Sequence, residues 1–276
     1  MKNWLLIFAF LTAILSMPVR AAESRFTLDG PIAQGGLAVG HIEPGSKVHF
    51  AGRDVLVSED GVFVIGFHRD DPAEMALTVT YPDGQTEKRV LHIKDRDFKI
   101  QRIDGLDQKK VTPPKEVLDR IHKEGALVRK ARDRDTPETW FAEGFIWPAH
   151  GPISGVYGSQ RILNGQPRQP HYGVDIAAPE GSTVIAPASG IVSLAYPDMY
   201  FSGGTLLLDH GHGVQSGFLH MKSILVKEGQ FVKKGEPIGT VGATGRATGP
   251  HLDWRINWFN KRIDPQLLVP PMEGEG

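Results

Sequence analysis

The sequence predicts a mainly β protein: a small antiparallel β-sandwich, a helical connector, and a second β-rich unit. Three observations carry this reading. Apolar residues between 25 and 94 alternate at period two and are interrupted by turn dipeptides. One stretch, from Val117 to Ala131, switches to helical spacing. From Phe145 onward, short apolar runs return, separated by glycines. The chain has 276 residues, enough for two domains and a connector. The expected boundaries are 23–104 for the sandwich, 113–138 for the connector and 144–270 for the C-terminal unit.

Residues 1–21 read as a signal peptide. Lys2 gives a basic start, Leu5 to Leu15 is an apolar run, and Val19-Arg20-Ala21 supplies small residues for cleavage after Ala21. The run is short for a membrane span, so no stable span is expected after cleavage; an uncleaved N-terminal anchor is the alternative. The chain has no cysteine, which excludes disulfides, thiolate zinc sites and a lipid-modified cysteine. Lys plus Arg is 31 against 32 Asp plus Glu, so bulk charge offers no drive toward nucleic acid and no such partner is expected.

Within the sandwich, Val48 and Phe50, Val55 and Val57, Phe63 with Ile65 and Phe67, Leu77 with Val79 and Tyr81, and Leu91 with Ile93 alternate. Pro44-Gly45, Asp60-Gly61 and Pro82-Asp83-Gly84 separate them as turns, Asp-Gly because glycine tolerates positive φ. His41, His49, His68 and His92 are scattered and read as ordinary strand or turn residues. No catalytic cluster lies here, and a binding or spacer role rests on fold analogy alone.

Pro113-Pro114 marks a boundary suited to a helix start. Val117, Leu118, Ile121, Leu127, Val128 and Ala131 then recur at helical spacing, with Gly125 as a weak point. Lys115, Arg120, Lys123, Arg129, Lys130, Arg132 and Arg134 make the other faces basic, which reads as a solvated surface. The competing reading is a helix that docks on the second unit and meets an anionic polymer or a partner.

In the C-terminal unit, strands are expected over Thr183–Pro187, Gly190–Leu194, Thr205–Asp209, Gln215–His220 and Pro237–Val241, with a hairpin region over Gly229–Gly235. The spacing of Val226, Gly229, Val232 and Gly235 is similar to that of lipoyl- or biotinyl-type hybrids, but Lys233 and Lys234 lack the flanks of a modifiable lysine. Gly239 to Gly249 lacks the Gly-Lys-Ser/Thr ending of a phosphate loop.

Three clusters carry the chemistry. His171 and Asp175, with three residues between them in a Gly- and Pro-rich segment, are both ordinary zinc ligand types, yet alone such a pair reads as a solvated surface loop. Phe218-Leu219-His220-Met221 sets an imidazole in an apolar run, where it could equally be a satisfied core histidine. His251-Leu252-Asp253 sets an imidazole and a carboxylate at i and i+2, on one face of a strand.

Taken in order, His171-x-x-x-Asp175, Phe218-x-His220 and His251-x-Asp253 resemble the LytM/lysostaphin-type (M23) zinc metallopeptidases, which cut peptide cross-links in peptidoglycan. The resemblance covers Phe145 to Leu268. It implies an antiparallel β-sheet catalytic domain and an exported enzyme of the periplasm or cell envelope that acts on peptidoglycan stem peptides. It implies Zn²⁺ held by His171, Asp175 and the residue at 253, with catalytic roles for His220 and His251, which flank the open position, orient water and stabilise the tetrahedral intermediate. One position departs from the pattern. The family usually has His-x-His at the third cluster, its second His a ligand; here that place is Asp253. A His-Asp-Asp set is harder and formally neutralises a divalent ion, so Mn²⁺ becomes an alternative to zinc. The alternative function is a catalytically degenerate regulator that binds the wall or activates another cell-wall hydrolase. Retention of His171, Asp175, His220 and His251 argues against full decay of the site. By the same resemblance, His210 and His212 belong to a hairpin end away from the metal, and His150 is a candidate for an extra ligand from outside the core.

Overall fold

The computed structural model describes residues 24–103, 115–163 and 165–272. The segment read as a signal peptide lies outside them, as does 104–114 with its Pro113-Pro114 boundary.

The N-terminal strands form two antiparallel sheets. One orders Thr27–Asp29, Leu37–His41 and Val62–Gly66; the other orders Arg53–Val55, Lys47–Phe50, Glu74–Thr80 and Thr86–His92. The alternation expected from sequence is realised: Val48, Phe50, Leu77, Val79 and Leu91 are buried between the sheets. Val64 is buried as well as its neighbours Phe63 and Ile65, so this strand is covered on both sides. The covering surface is the C-terminal unit. Phe50 and Trp258 have ring centroids 6.0 Å apart, and Arg96 pairs with Asp264 at 2.7 Å. Gly66 is required here, because a Cβ would lie 2.7 Å from the Trp258 Cβ. One apolar core runs through both halves.

The end of the N-terminal half departs from expectation. Ile100–Ile103 leaves both sheets and pairs in parallel with Gln160–Leu163, beside Gln166–Pro167. Four residues that complete no alternating face of their own give no sequence signal for this crossing.

Helix α1 spans Leu118–Arg132. Its basic faces are not all solvated as the primary reading had it: the helix docks on the C-terminal unit. Val128 and Ala131 pack with Leu194, Met199 and Leu207. The buried Glu124 accepts from Arg120 Nε at 2.7 Å and from the Tyr200 amide at 2.8 Å. Gln215 Nε2 donates to the Ala131 carbonyl, near the helix C-terminus where such groups lack intrahelical partners.

The C-terminal unit is built on an eight-stranded antiparallel sheet. Its order is Phe231–Val232, Gly190–Met199, Gly203–Asp209, Val214–Met221, His251–Trp258, Val174–Ala177 and Ile153–Gly155, with Lys261–Ile263 added against His251–Trp258. The two strands Gly203–Asp209 and Val214–Met221 are buried throughout. They anchor the sheet, and the functional side chains lie where these strands give way to His251–Trp258 and Val174–Ala177.

Candidate metal centre and cleft

Strand His251–Trp258 divides its side chains by parity. Leu252, Trp254, Ile256 and Trp258 are buried in the core, which turns His251, Asp253 and Arg255 to the opposite face. The neighbouring strand Val174–Ala177 does the same: Val174 and Ile176 are fully buried, and Asp175 and Ala177 face the other way. The antiparallel register sets Asp175 directly opposite Asp253 and Ala177 opposite His251. Two carboxylates facing across a strand pair repel, and a cation between or beside them relieves that repulsion.

Two glycines make the room. A Cβ on Gly155 would collide with the Asp175 carboxylate, and one on Gly173 would lie 2.6 Å from Asp253 Oδ1. His171 Nε2 is 3.1 Å from Asp175 Oδ1, and His251 Nε2 is 3.8 Å from the same oxygen. His171, Asp175 and Asp253 each offer a ligand atom, all within 4.8 Å of one another. His171 Nε2 and Asp175 Oδ1 are both shut off from solvent, and among the described residues neither makes a well-directed hydrogen bond, their 3.1 Å contact with each other included. Buried polar atoms are ordinarily satisfied. Two ligands at about 2.05 Å in a tetrahedral zinc site stand roughly 3.3 Å apart, close to the separation of these two atoms. The donor set therefore fits a divalent ion.

The two remaining imidazoles are fixed by backbone carbonyls. His220 Nδ1 is 2.8 Å from the Thr244 carbonyl, and His251 Nδ1 is 2.8 Å from the Gly249 carbonyl. A carbonyl only accepts, so Nδ1 carries a proton in each, and in the neutral ring Nε2 keeps its lone pair. The rings stand 4.9 Å apart. Burial lowers the pKa of His220, which keeps it neutral and able to take a proton. His220 is held at φ +63°, and its amide donates to the Ser202 carbonyl at 2.8 Å. A non-glycine residue in this region is strained and persists only where surrounding structure fixes it.

Arg255 is the feature that sequence reasoning missed. Its Nε donates to Asp253 Oδ1 at 2.9 Å, and a terminal nitrogen donates to Oδ2 at 2.6 Å. Burial would raise the Asp253 pKa, but the Arg255 charge and its hydrogen bonds outweigh this and hold the carboxyl below its usual range. A carboxylate has about four lone-pair directions, so this fork leaves Asp253 able to bind a second cation. Period two was the available signal: a residue four beyond His251 on a strand must share its face.

The other histidines separate cleanly. His210 is fully buried, with Nδ1 2.7 Å from the Ser189 carbonyl and Nε2 2.8 Å from Ser216 Oγ. His212 Nε2 meets the Pro137 carbonyl at 3.2 Å. Both are structural, as expected. His150 is exposed and stands outside the ligand group, so its candidacy as an extra ligand is withdrawn.

The centre lies along a cleft of about 1200 Å³ lined by His171, Asp175, Arg168, Arg246 and Arg255. Lys99 and Ile100 line it too, so the N-terminal half contributes a wall rather than acting only as a spacer.

An antiparallel sheet presents a His-Asp-Asp group beside two oriented imidazoles, a candidate metal centre. Residues 169–265 match the family model described as peptidase family M23. A crystal structure from Pseudomonas aeruginosa, described as a candidate M23 peptidase, superposes with a TM-score of 0.66 at 32% identity, covering 85% of this chain and 93% of that one. An uncharacterised metalloprotease of Haemophilus influenzae is 38% identical over 39% of this chain and 23% of its own length. The peptidoglycan DD-endopeptidase ShyB of Vibrio cholerae is 40% identical over 37% of this chain and 24% of its own. The match thus spans about a quarter of the length of these curated relatives. The chain belongs to peptidase family M23.

Proposed function

We propose that the protein is an exported, metal-dependent endopeptidase that hydrolyses peptide cross-links of peptidoglycan in the periplasm or cell envelope. The observation that carries this is the convergence of five groups, His171, Asp175, Asp253, His220 and His251, on one face of one sheet. The DD-endopeptidase name of the Vibrio cholerae relative supports the choice of substrate. The parts assigned are a leader over 1–21, a sandwich over 23–104 whose last strand reaches the cleft, a connector over 113–138 and a peptidase unit over 144–270.

His171, Asp175 and Asp253 would hold the divalent ion, zinc in the first instance. When bound, the ion supplies Lewis-acid activation of water and of the scissile carbonyl. His220 and His251 turn a free Nε2 toward the site, so each can orient water, accept its proton at that nitrogen and later return it to the leaving amine. As imidazolium, either ring stabilises negative charge on the tetrahedral carbonyl oxygen. Arg255 holds Asp253 in place and offsets the extra carboxylate relative to the usual two-histidine set.

The test is digestion of a soluble cross-linked stem-peptide dimer by the zinc-loaded protein. Cleavage should stop on chelation and fall by roughly 10²-fold or more in His220→Ala and His251→Ala while metal stays bound. Undiminished digestion by both variants would overturn the assignment. One observation favours a second reading. The Arg255 fork occupies part of Asp253, which suits a wall-binding regulator with a weakened centre. Binding of wall material without hydrolysis at any metal loading would select that reading.

A further inference from the structure

Beneath the C-terminal end of α1 lies a second cleft, of about 610 Å³, lined by Arg132, Arg262, Arg255, Arg246 and His220. The proposed chemistry uses His220 and Arg255 and leaves the other guanidiniums unexplained. Arg255 is neutralised by Asp253. Arg262 donates to Asn257 Oδ1 at 2.7 Å, a neutral acceptor. Arg132 Nε is shut off from solvent with no acceptor, and among the described residues no carboxylate pairs with Arg132. Burial, and after it the like charges of Arg262 and Arg255, depress its pKa. Arg262 is pushed down to about 10 by burial and then by Arg255. Among the described residues the one carboxylate lining this cleft is Glu124, already taken by Arg120 and the Tyr200 amide.

A cation in the last turn of a helix is ordinarily favoured by the macrodipole. That accounts for Arg129 and Lys130 at the surface, but not for a guanidinium turned inward without a partner, which is costly. Mutually repelling guanidiniums around a cavity make a site whose natural complement is an anion, and their planar forks match a carboxylate. Arg246, Arg255 and Gln169 line both this cleft and the one at His171 and Asp175. The two clefts therefore share a wall, which puts the arginine cleft within reach of a peptide lying across the centre.

We propose that the cleft under α1 is an anion subsite in which Arg132 and Arg262 bind a free carboxylate of the substrate's stem peptide. The inference rests on the peptidoglycan reading for the identity of the peptide and deepens it. It makes the enzyme selective for stem peptides whose side carboxylates are free over those in which they are amidated. The docked position of α1 is then part of substrate recognition.

The test uses two uncross-linked stem peptides, one with free carboxylates and one fully amidated, titrated calorimetrically into the full zinc-loaded chain. Neither contains a cross-link, so binding is read without cleavage. The wild type should bind the free acid at least tenfold more tightly than the amide, and Arg132→Gln and Arg262→Gln should bring the ratio close to one. Arg132→Met should also raise the melting temperature of the peptide-free protein, since it removes a shielded charge with no partner; this separates lost recognition from lost folding. A wild-type ratio near one, no binding of either peptide, or a ratio unchanged in both Gln variants would overturn the proposal. Failure to hydrolyse cross-linked dimers with the ratio intact would remove the endopeptidase reading and leave the anion subsite standing.

Discussion

Arg255→Met is the sharpest perturbation of the centre, because it removes one charge and keeps most of the side-chain volume. In the wild type the guanidinium forms a two-pronged contact with Asp253 at 2.9 and 2.6 Å, with side chains 25% and 4% exposed. Removing one member of a buried ion pair costs about 3–5 kcal/mol, because the other charge is left without a partner. Arg255 is partly open to solvent, which places the expected loss near the lower end, about 3 kcal/mol. The register adds to it: Asp253 then faces Asp175 with no intervening cation. A divalent ion at the same carboxylates supplies the missing charge and stabilises the folded state by mass action. Urea unfolding should therefore show the full loss in chelator and a much smaller loss in saturating zinc. A loss below about 1 kcal/mol in chelator, or one equal in both conditions, would refute the idea that Arg255 and the metal share the task of neutralising Asp253.

Gly155→Ala should place a methyl group against the Asp175 carboxylate and weaken zinc affinity by roughly 10–100-fold while circular dichroism stays native, as supporting-residue changes do. His210 has its pKa lowered by burial from 6.5 to about 4. The unfolded chain takes up this proton below about 6.5 and the folded one does not, so the contribution is full above that pH and is lost as pH falls toward 4. The loss is roughly 3 kcal/mol, and the stability–pH slope between these limits should flatten in His210→Gln. Asp253→His alone should destabilise the protein by stranding Arg255, whereas Asp253→His combined with Arg255→Gln should recover stability and bind zinc at least as tightly as the wild type, both read by denaturation and zinc titration.

The strands were legible because burial follows period two: Val48, Phe50, Leu77 and Val79 each enter the core as their spacing requires. The strand from Gly190 runs on to Met199, beyond the expected Leu194, because pairing with Gly203–Asp209 carries it past Pro197, a residue that weakens a local strand signal. His171, Asp175, His220, His251 and Asp253 were legible as motifs, and the fold brings all five together. The Asp253–Arg255 pair was recoverable from strand parity, but only once the direction of its face was known. The arginine cleft was not recoverable, since Arg132, Arg246 and Arg262 come from a helix, a loop and an edge strand that no local pattern connects. The docking of α1 was hidden for a related reason: Glu124, a residue that ordinarily faces water, is buried there by two specific hydrogen bonds.

The central claim is that His171, Asp175 and Asp253 form one metal centre, and metal stoichiometry tests it most directly. Elemental analysis of the purified wild type offered zinc or manganese should give about one divalent ion per chain. Asp253→Ala should retain little or none while remaining folded. A metal-free wild type under these conditions, or an Asp253→Ala variant that keeps its full complement, would contradict the account.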